Sequence, residues 1–302
     1  MNRENTIEES VSARIPFVTS VAAQQSLPID EAIAFAVTHR CTRFYIEGAY
    51  HADRSDTWSP QRIEHYRAVI RNHGLRPIFH GNYKLPLAHE DEEVRQAAVR
   101  SVMREVDIAA ALGAAVIVHG SCIFTHRKPM QARLEAIDAF ARSVQALYCH
   151  AEPLGVELWL ENLENYKDRH PFHTIYSQRS EYEYVLSHVP GAKFILDVGH
   201  ENVGSGDPVG VFTALADRIV ALDVNDNRGD YDTHYGLGKG TVDFPRLIQA
   251  VVQRGWSGHI TVETRGSSLA SDLEHLAVAY ESCVASAQRS DGRASVDVES
   301  TD

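Results

Sequence analysis

Short apolar runs alternate with longer amphipathic segments along almost the whole of this 302-residue chain. The short runs are rich in Val, Ile, Phe and Leu and lack polar alternation, as is typical of strands covered on both faces. The longer segments carry apolar residues at helical spacing. The predicted strands cover residues 15–20, 43–47, 76–80, 115–119, 156–161, 193–197, 219–224 and 259–263. The predicted helices cover residues 28–38, 60–73, 91–112, 133–152, 181–189, 208–216, 244–254 and 273–287.

Eight strand–helix units in about 270 residues match the length and order of a (β/α)8 barrel. A doubly wound open sheet also repeats βαβ units. However, no G-x-G-x-x-G follows the first predicted strand, and no G-x-x-x-x-G-K-[ST] occurs. The sequence therefore predicts an α/β fold: a single-domain (β/α)8 TIM barrel over 15–287, after an N-terminal extension over 1–14. The polar, aperiodic segment 288–302 is predicted to be a disordered tail.

Charge and cysteine content exclude several classes of protein. The chain has 29 Lys and Arg against 41 Asp and Glu, a net charge of −12, which argues against a nucleic-acid partner. Its 4 cysteines form no C-x-x-C pair, so neither a disulfide framework nor a zinc knuckle is expected. No signal-peptide-like start or 18-residue apolar stretch is present. We therefore expect a cytoplasmic protein without a membrane partner.

Ionisable side chains stand at the ends of six consecutive predicted strands. In a parallel barrel these ends meet on the face that hosts active sites. One such residue could be a turn former or helix cap, but capping alone does not account for six. Crowded carboxylates repel each other and are costly to bury unpaired, so the set needs a cation. Oxygen ligands with some imidazole suit Mn²⁺, Mg²⁺, Co²⁺ or Zn²⁺. The six residues are His80, His119, Glu161, Asp197, Asp223 and Glu263.

A second group of candidate ligands lies just beyond these strand ends. His200 follows Asp197 in the segment Asp-Val-Gly-His. Asp232 and His234 form an Asp-x-His pair in the loop after the seventh strand. Such a pair can chelate one ion, and we expect these three residues to form a further metal shell.

The ordered motifs resemble the xylose isomerase-like barrel superfamily, which joins sugar and sugar-phosphate isomerases and epimerases to endonuclease IV. No single motif is specific, but the set spans roughly residues 76–264. The matching segments are HGNYKLPLA, LGAAVIVHGS, LWLEN, FILDVGHENV, VNDNRGDYDTHYGLGKGTVDF and GWSGHITVET.

The resemblance implies different ion sites in its two branches. The isomerase branch implies one divalent ion on Glu161, Asp197, Asp223 and Glu263, with Asp223 in place of the usual His and the two glutamates shuttling the substrate proton. The endonuclease IV branch implies three zinc ions, with Asp223 again the departure. Its pattern falls on His80, His119, Glu161, Asp197, His200, Asp223, Asp232, His234 and Glu263.

The aspartate at position 223 makes the site more acidic than the family pattern. Arg228, Arg265 or Lys84 could offset the excess charge. Alternatively, one carboxylate is protonated or a second ion is present. An aspartate rather than a histidine at position 223 favours Mn²⁺ or Mg²⁺ as the bound ion, and Zn²⁺ and Co²⁺ are the alternatives.

The leading hypothesis is an isomerase, epimerase or related lyase acting on a small keto sugar, sugar phosphate or other polyhydroxylated carbonyl compound. Proton transfer through a metal-stabilised enediolate would use Glu161 and Glu263. The alternative is an endonuclease IV-like multi-zinc phosphodiesterase, and a non-catalytic metal-binding protein is a third reading. The resemblance also implies a homo-oligomer. The expected substrate contacts are His200, Arg228, Arg265, Tyr83 and Lys84.

Overall fold

Eight parallel strands form a nearly closed barrel, which confirms the predicted (β/α)8 fold. The computed structural model describes residues 6–125, 128–166 and 172–294. The barrel strands follow one another in the order β1-β10-β9-β8-β6-β4-β3-β2, and the two end strands lie side by side. These strands are β1 (Val18–Ala23), β2 (Arg43–Glu47), β3 (Arg76–His80), β4 (Ala115–His119), β6 (Leu158–Glu161), β8 (Lys193–Asp197), β9 (Ile219–Val224) and β10 (Gly258–Val262).

Helices follow the barrel strands and cover them from outside. Side-chain caps begin several of them: the Asp91 carboxylate, for example, accepts from two backbone N–H groups at the start of α4. Gly113 ends that helix at a φ of 70°, where a side chain would be strained. The helices are α1 (Ile7–Arg14), α2 (Ile29–Thr38), α3 (Pro60–His73), α4 (Glu92–Leu112), α5 (Pro129–Ala151), α6 (Arg179–His188), α7 (Val198–Gly204), α8 (Pro208–Leu215), α9 (Phe244–Arg254) and α10 (Leu269–Ala294).

The observed elements differ from the predicted ones mainly near the ends of the chain. The first strand begins at Val18 rather than at residue 15. Ile15 and Phe17 lie between α1 and this strand and are buried in the core, which accounts for the apolar pattern there. Helix α1 lies within the predicted N-terminal extension, and α10 continues to Ala294, into the predicted tail. Residues 295–302 lie outside the described part of the chain. None of the described helices is long and apolar enough to cross a membrane.

The inward side chains of the barrel form layers. An apolar cluster inside the barrel takes one residue from each of seven strands, among them Tyr45, Ile117 and Trp159. Side chains alternate along a strand, so the residue two positions further on points inward as well. Two positions beyond Ile117 is His119, and two beyond Trp159 is Glu161. The ionisable residues at the strand ends therefore form the next layer, directly above this apolar cluster.

A small antiparallel pair, which the sequence did not predict, stands beside this end of the barrel. Strand β5 (Ser121–Phe124) pairs with β7 (Phe172–Ile175). The Phe124 and Phe172 rings meet edge to face at 5.2 Å. Strand β7 lies in the long connection between β6 and α6, of which residues 167–171 lie outside the described residues.

Neighbouring valines on α9 give a matched test of how the helices are held. Val251 is fully buried against the barrel, whereas Val252 is 37% exposed. Val251→Ala removes two buried methyl groups and should lower the free energy of unfolding by about 2 kcal/mol. Val252→Ala should change it by less than about 0.5 kcal/mol. Urea unfolding followed by circular dichroism measures both, and equal losses would contradict this packing.

Candidate active site

A cavity of about 790 Å³ lies at the carboxyl ends of the barrel strands. Strand-end residues line its floor and loop residues line its walls. The structure thus gathers most of the predicted site residues around one space, although they are widely separated in sequence. The candidate ligands that line it are His80, His119, Glu161, His200, Asp232, His234 and Glu263.

His80, His119 and Glu161 form one potential ion-binding group. One donor atom from each residue lies within 4.8 Å of the others. His119 Nε2 is 2.9 Å from His80 Nε2 and 3.1 Å from Glu161 Oε2. The His80 Nδ1 atom lies 3.0 Å from Glu47 Oε2, so Nδ1–H donates there and Nε2 faces the other two residues. This arrangement leaves the imidazole nitrogen that faces the group able to bind a cation.

His200, Asp232 and His234 form a second group of the same kind. The His200 Nδ1–H donates to the backbone carbonyl of Asn162 at 2.8 Å, and the His234 Nδ1–H donates to that of Glu263 at 2.7 Å. Both Nε2 atoms then face Asp232 Oδ2, at 3.5 and 2.8 Å. His234 takes a φ of 51°, a strained conformation for a side-chain-bearing residue that is often found at functional sites.

Asp197 is fully buried below the cavity and is fixed by asparagines from the neighbouring strands. Its backbone N–H donates to Asn162 Oδ1 at 2.8 Å, and Asn225 Nδ2 donates to its carboxylate at 3.2 and 3.3 Å. A Cβ on Gly199 would lie 1.8 Å from Asn225 Oδ1, so the chain needs glycine there. Asp197 also shares a third potential ion-binding group with Glu161 and His200.

Two carboxylate oxygens at the ends of the neighbouring strands β9 and β10 are buried without a hydrogen-bond partner among the described residues. They are Asp223 Oδ1 and Glu263 Oε1. Buried acceptors are nearly always paired, so these two need another partner. Among the described residues, the groups already close enough to hold an ion include Glu161 and Asp197 but not Asp223 or Glu263. A divalent cation is nevertheless a partner that suits such oxygens, and the chemistry of the donor set fits a metal ion.

The electrostatics of the site reflect this crowding of carboxylates. Burial, with repulsion from Glu161 and Asp197, raises the pKa of Asp223 well above its usual value. The pKa of Glu263 is raised in the same way, by burial and by Asp223. Burial also raises the pKa of Asp197 to about 6. A cation among these groups would reverse the shifts and displace protons.

The predicted substrate contacts are only partly brought together. Tyr83, Lys84 and Arg265 line the cavity as exposed residues at its mouth, and His200 lines it as a buried residue. Arg228 is exposed and does not line it; its guanidinium lies 5.9 Å from the ring centroid of Tyr235.

Sequence reasoning missed three residues that orient the candidate ligands: Gln24, Asn162 and Asn225. Gln24 Nε2 donates at 2.6 Å to Oε1 of Glu47, whose other oxygen faces His80. Asn162 and Asn225 hold Asp197. Each of the three follows a strand by one residue, which was a usable signal, but a neutral amide carries no metal-ligand pattern.

A family model and several curated proteins match the sequence of this chain. The family described as xylose isomerase-like TIM barrel matches residues 43–282. Among curated proteins, an uncharacterised protein of Methanocaldococcus jannaschii, MJ1614, is 24% identical over 53% of this chain and 59% of its own length. Fructoselysine 3-epimerase of Shigella flexneri is 23% identical over 63% of this chain and 66% of its own length. The match thus spans less than two thirds of either relative.

Among solved structures, a D-tagatose 3-epimerase-like protein superposes with a TM-score of 0.72. It is 17% identical, and the match covers 87% of this chain and 96% of that one. At this identity the likeness concerns the fold.

The raised pKa values predict how the stability of the metal-free protein depends on pH. Between pH 7 and 9 the folded state holds more protons than the unfolded state, because the pKa of His80 is raised to about 9 and those of Asp223 and Glu263 are raised well above their usual values. His119 and His259, whose pKa values are lowered, are neutral in both states over this range. The free energy of unfolding should therefore fall as pH rises. Three further groups with raised pKa values act in the same direction: Glu105, His200 and His234.

Urea unfolding of chelator-treated protein at several pH values measures this slope. Each retained proton contributes about 1.4 kcal/mol per pH unit. Asp223→Asn removes one such carboxyl and should make the slope shallower. A stability that rises from pH 7 to 9, or an unchanged slope in the variant, would contradict the charge assignment.

Proposed function

This chain belongs to the xylose isomerase-like TIM barrel family, and from that we propose that it is a divalent-metal-dependent epimerase or isomerase. Its substrate would be a small polyhydroxylated carbonyl compound such as a keto sugar or sugar phosphate. One observation carries the proposal: Glu161 and Glu263 line the same cavity at the carboxyl ends of the strands, and both carboxylates are almost completely buried. The epimerase activity named for the relatives supports it.

Glu161, Asp197, Asp223 and Glu263 would hold one ion at the floor of the cavity. When bound, the ion would polarise the substrate carbonyl and stabilise developing negative charge. This carboxylate-rich set favours Mn²⁺ or Mg²⁺. The two groups with histidines, around His119 and around His234, could take further ions, for which Zn²⁺ or Co²⁺ is suited.

The two glutamates would perform the proton transfer. One carboxylate removes the proton from the carbon next to the carbonyl, and the other returns a proton on the opposite face or to the neighbouring carbon. A related keto acid could lose water at the same site, so lyase chemistry is a close variant.

Residues at the mouth would bind the rest of the substrate. His200, Tyr83, Lys84 and Arg265 line the cavity and offer donors for hydroxyl groups or for an anionic end of the substrate. Arg228 does not line this cavity, and its guanidinium lies 5.9 Å from the Tyr235 ring centroid, so we assign it no substrate contact.

A second candidate function rests on the two groups with histidines. His80, His119 and Glu161, and separately His200, Asp232 and His234, are already close enough to bind ions. A multi-zinc phosphodiesterase of the endonuclease IV type would use such groups together. The net charge of −12 disfavours binding to a phosphate backbone, so we place this function second.

Solvent deuterium exchange tests the leading function. The Mn²⁺-loaded protein should introduce deuterium next to the carbonyl of at least one member of a panel of ketohexoses, ketose phosphates and fructoselysine, as followed by NMR. Glu161→Gln and Glu263→Gln should each lower the exchange rate at least about 100-fold. Glu157→Gln is the matched control, since Glu157 stands at the other end of the same strand and accepts from Trp159 Nε1 at 3.0 Å.

Exchange that survives both active-site substitutions would contradict the proton-transfer assignment. Cleavage of abasic duplex DNA, with no exchange on any sugar, would instead support the phosphodiesterase.

A further inference from the structure

Tyr45 extends from β2 across the interior of the barrel to the far side of the site. It is 2% exposed and belongs to the apolar layer directly beneath the strand-end ligands. Its hydroxyl lies 3.3 Å from Asp223 Oδ2 on β9 and 2.9 Å from Thr261 Oγ1 on β10. Strands β1 and β10 separate β2 from β9 in the sheet, so this contact crosses the barrel rather than following its wall.

The contact makes the two oxygens of Asp223 different. Oδ2 accepts a hydrogen bond from the Tyr45 hydroxyl, which is itself hydrogen-bonded to the Thr261 hydroxyl. Oδ1 is buried and has no hydrogen-bond partner among the described residues. A carboxylate with both oxygens free could turn, bind an ion through both, or take a proton on either. Here Oδ2 already accepts a hydrogen bond, so the two oxygens are not equivalent.

We propose that Tyr45 is a positioning residue whose hydroxyl, together with that of Thr261, holds Asp223 so that it offers Oδ1 alone to a bound divalent ion. The inference rests on the proposed function, since it requires an ion at this site. It also accounts for the departure from the family pattern: a carboxylate held in this way presents a single donor atom, as a histidine would.

The ring of Tyr45 is held in place as well as its hydroxyl. It stacks on the His80 ring at 5.4 Å with an interplanar angle of 25°. One side chain thus contacts ligands on opposite sides of the site.

Tyr45→Phe tests the proposal because it removes only the hydroxyl. The affinity of the metal-free protein for Mn²⁺, measured by calorimetry and by electron paramagnetic resonance of free Mn²⁺, should fall about 10- to 100-fold. Thr261→Val should lower it in the same direction. Tyr176→Phe is the matched control, because Tyr176 is also fully buried but its hydroxyl has no hydrogen-bond partner among the described residues. It should leave the affinity unchanged.

A double-mutant cycle separates positioning from general loosening of the barrel. Asp223→His introduces an imidazole, which can bind the ion through only one nitrogen at a time. No hydroxyl is then needed to select the atom that binds. In that background Tyr45→Phe should change Mn²⁺ affinity less than about twofold. An equal loss in both backgrounds, or no loss in the native one, would overturn the proposal.

The same measurements distinguish failure of this inference from failure of the proposed function. If the native protein binds no Mn²⁺, both are wrong. If it binds Mn²⁺ and catalyses exchange, while Tyr45→Phe binds Mn²⁺ equally well, only the positioning role is wrong. Thermal unfolding of each variant shows whether the fold is retained.

Discussion

The burial of several carboxylates in one small volume is the constraint on which the rest of this site depends. Glu161, Asp197, Asp223 and Glu263 end or follow consecutive strands of the ring β6-β8-β9-β10, and each is almost completely removed from solvent. Their repulsion would be costly without a counter-charge. The unpaired oxygens and the raised pKa values of Asp223 and Glu263 are two expressions of that cost. Under the proposed function, a bound cation would resolve both.

The surrounding residues determine which atoms the ligands present. Glu47 and two backbone carbonyls take the Nδ1–H groups of His80, His200 and His234, so each Nε2 faces the site. Asparagines hold Asp197, and Tyr45 holds one oxygen of Asp223. Such partners fix ligand orientation before an ion arrives and thereby reduce the entropy lost on binding.

Much of the fold, and the position of the ionisable residues at the strand ends, could be predicted from sequence because both depend on local pattern. The bounds of β2, β3, β4, β8 and β9 agree with those expected, since each is an apolar run that ends at or next to an ionisable residue. The partners could not be predicted, because they depend on contacts between strands. Tyr45 and Asp223 are far apart in sequence, as are Ser121 and Ile175 of the antiparallel pair. Arg228 shows the converse: proximity in sequence to Asp223 did not bring its side chain to the cavity.

The most direct measurement is a crystal structure of the Mn²⁺-soaked protein with an anomalous difference map. The account predicts a strong peak at the carboxyl end of the barrel, within coordinating distance of oxygens from Glu161, Asp197, Asp223 and Glu263. Further peaks beside His119 or His234 would show that more than one ion binds. A map with no peak among the four carboxylates would contradict the claim that a shared cation is what makes their burial tolerable.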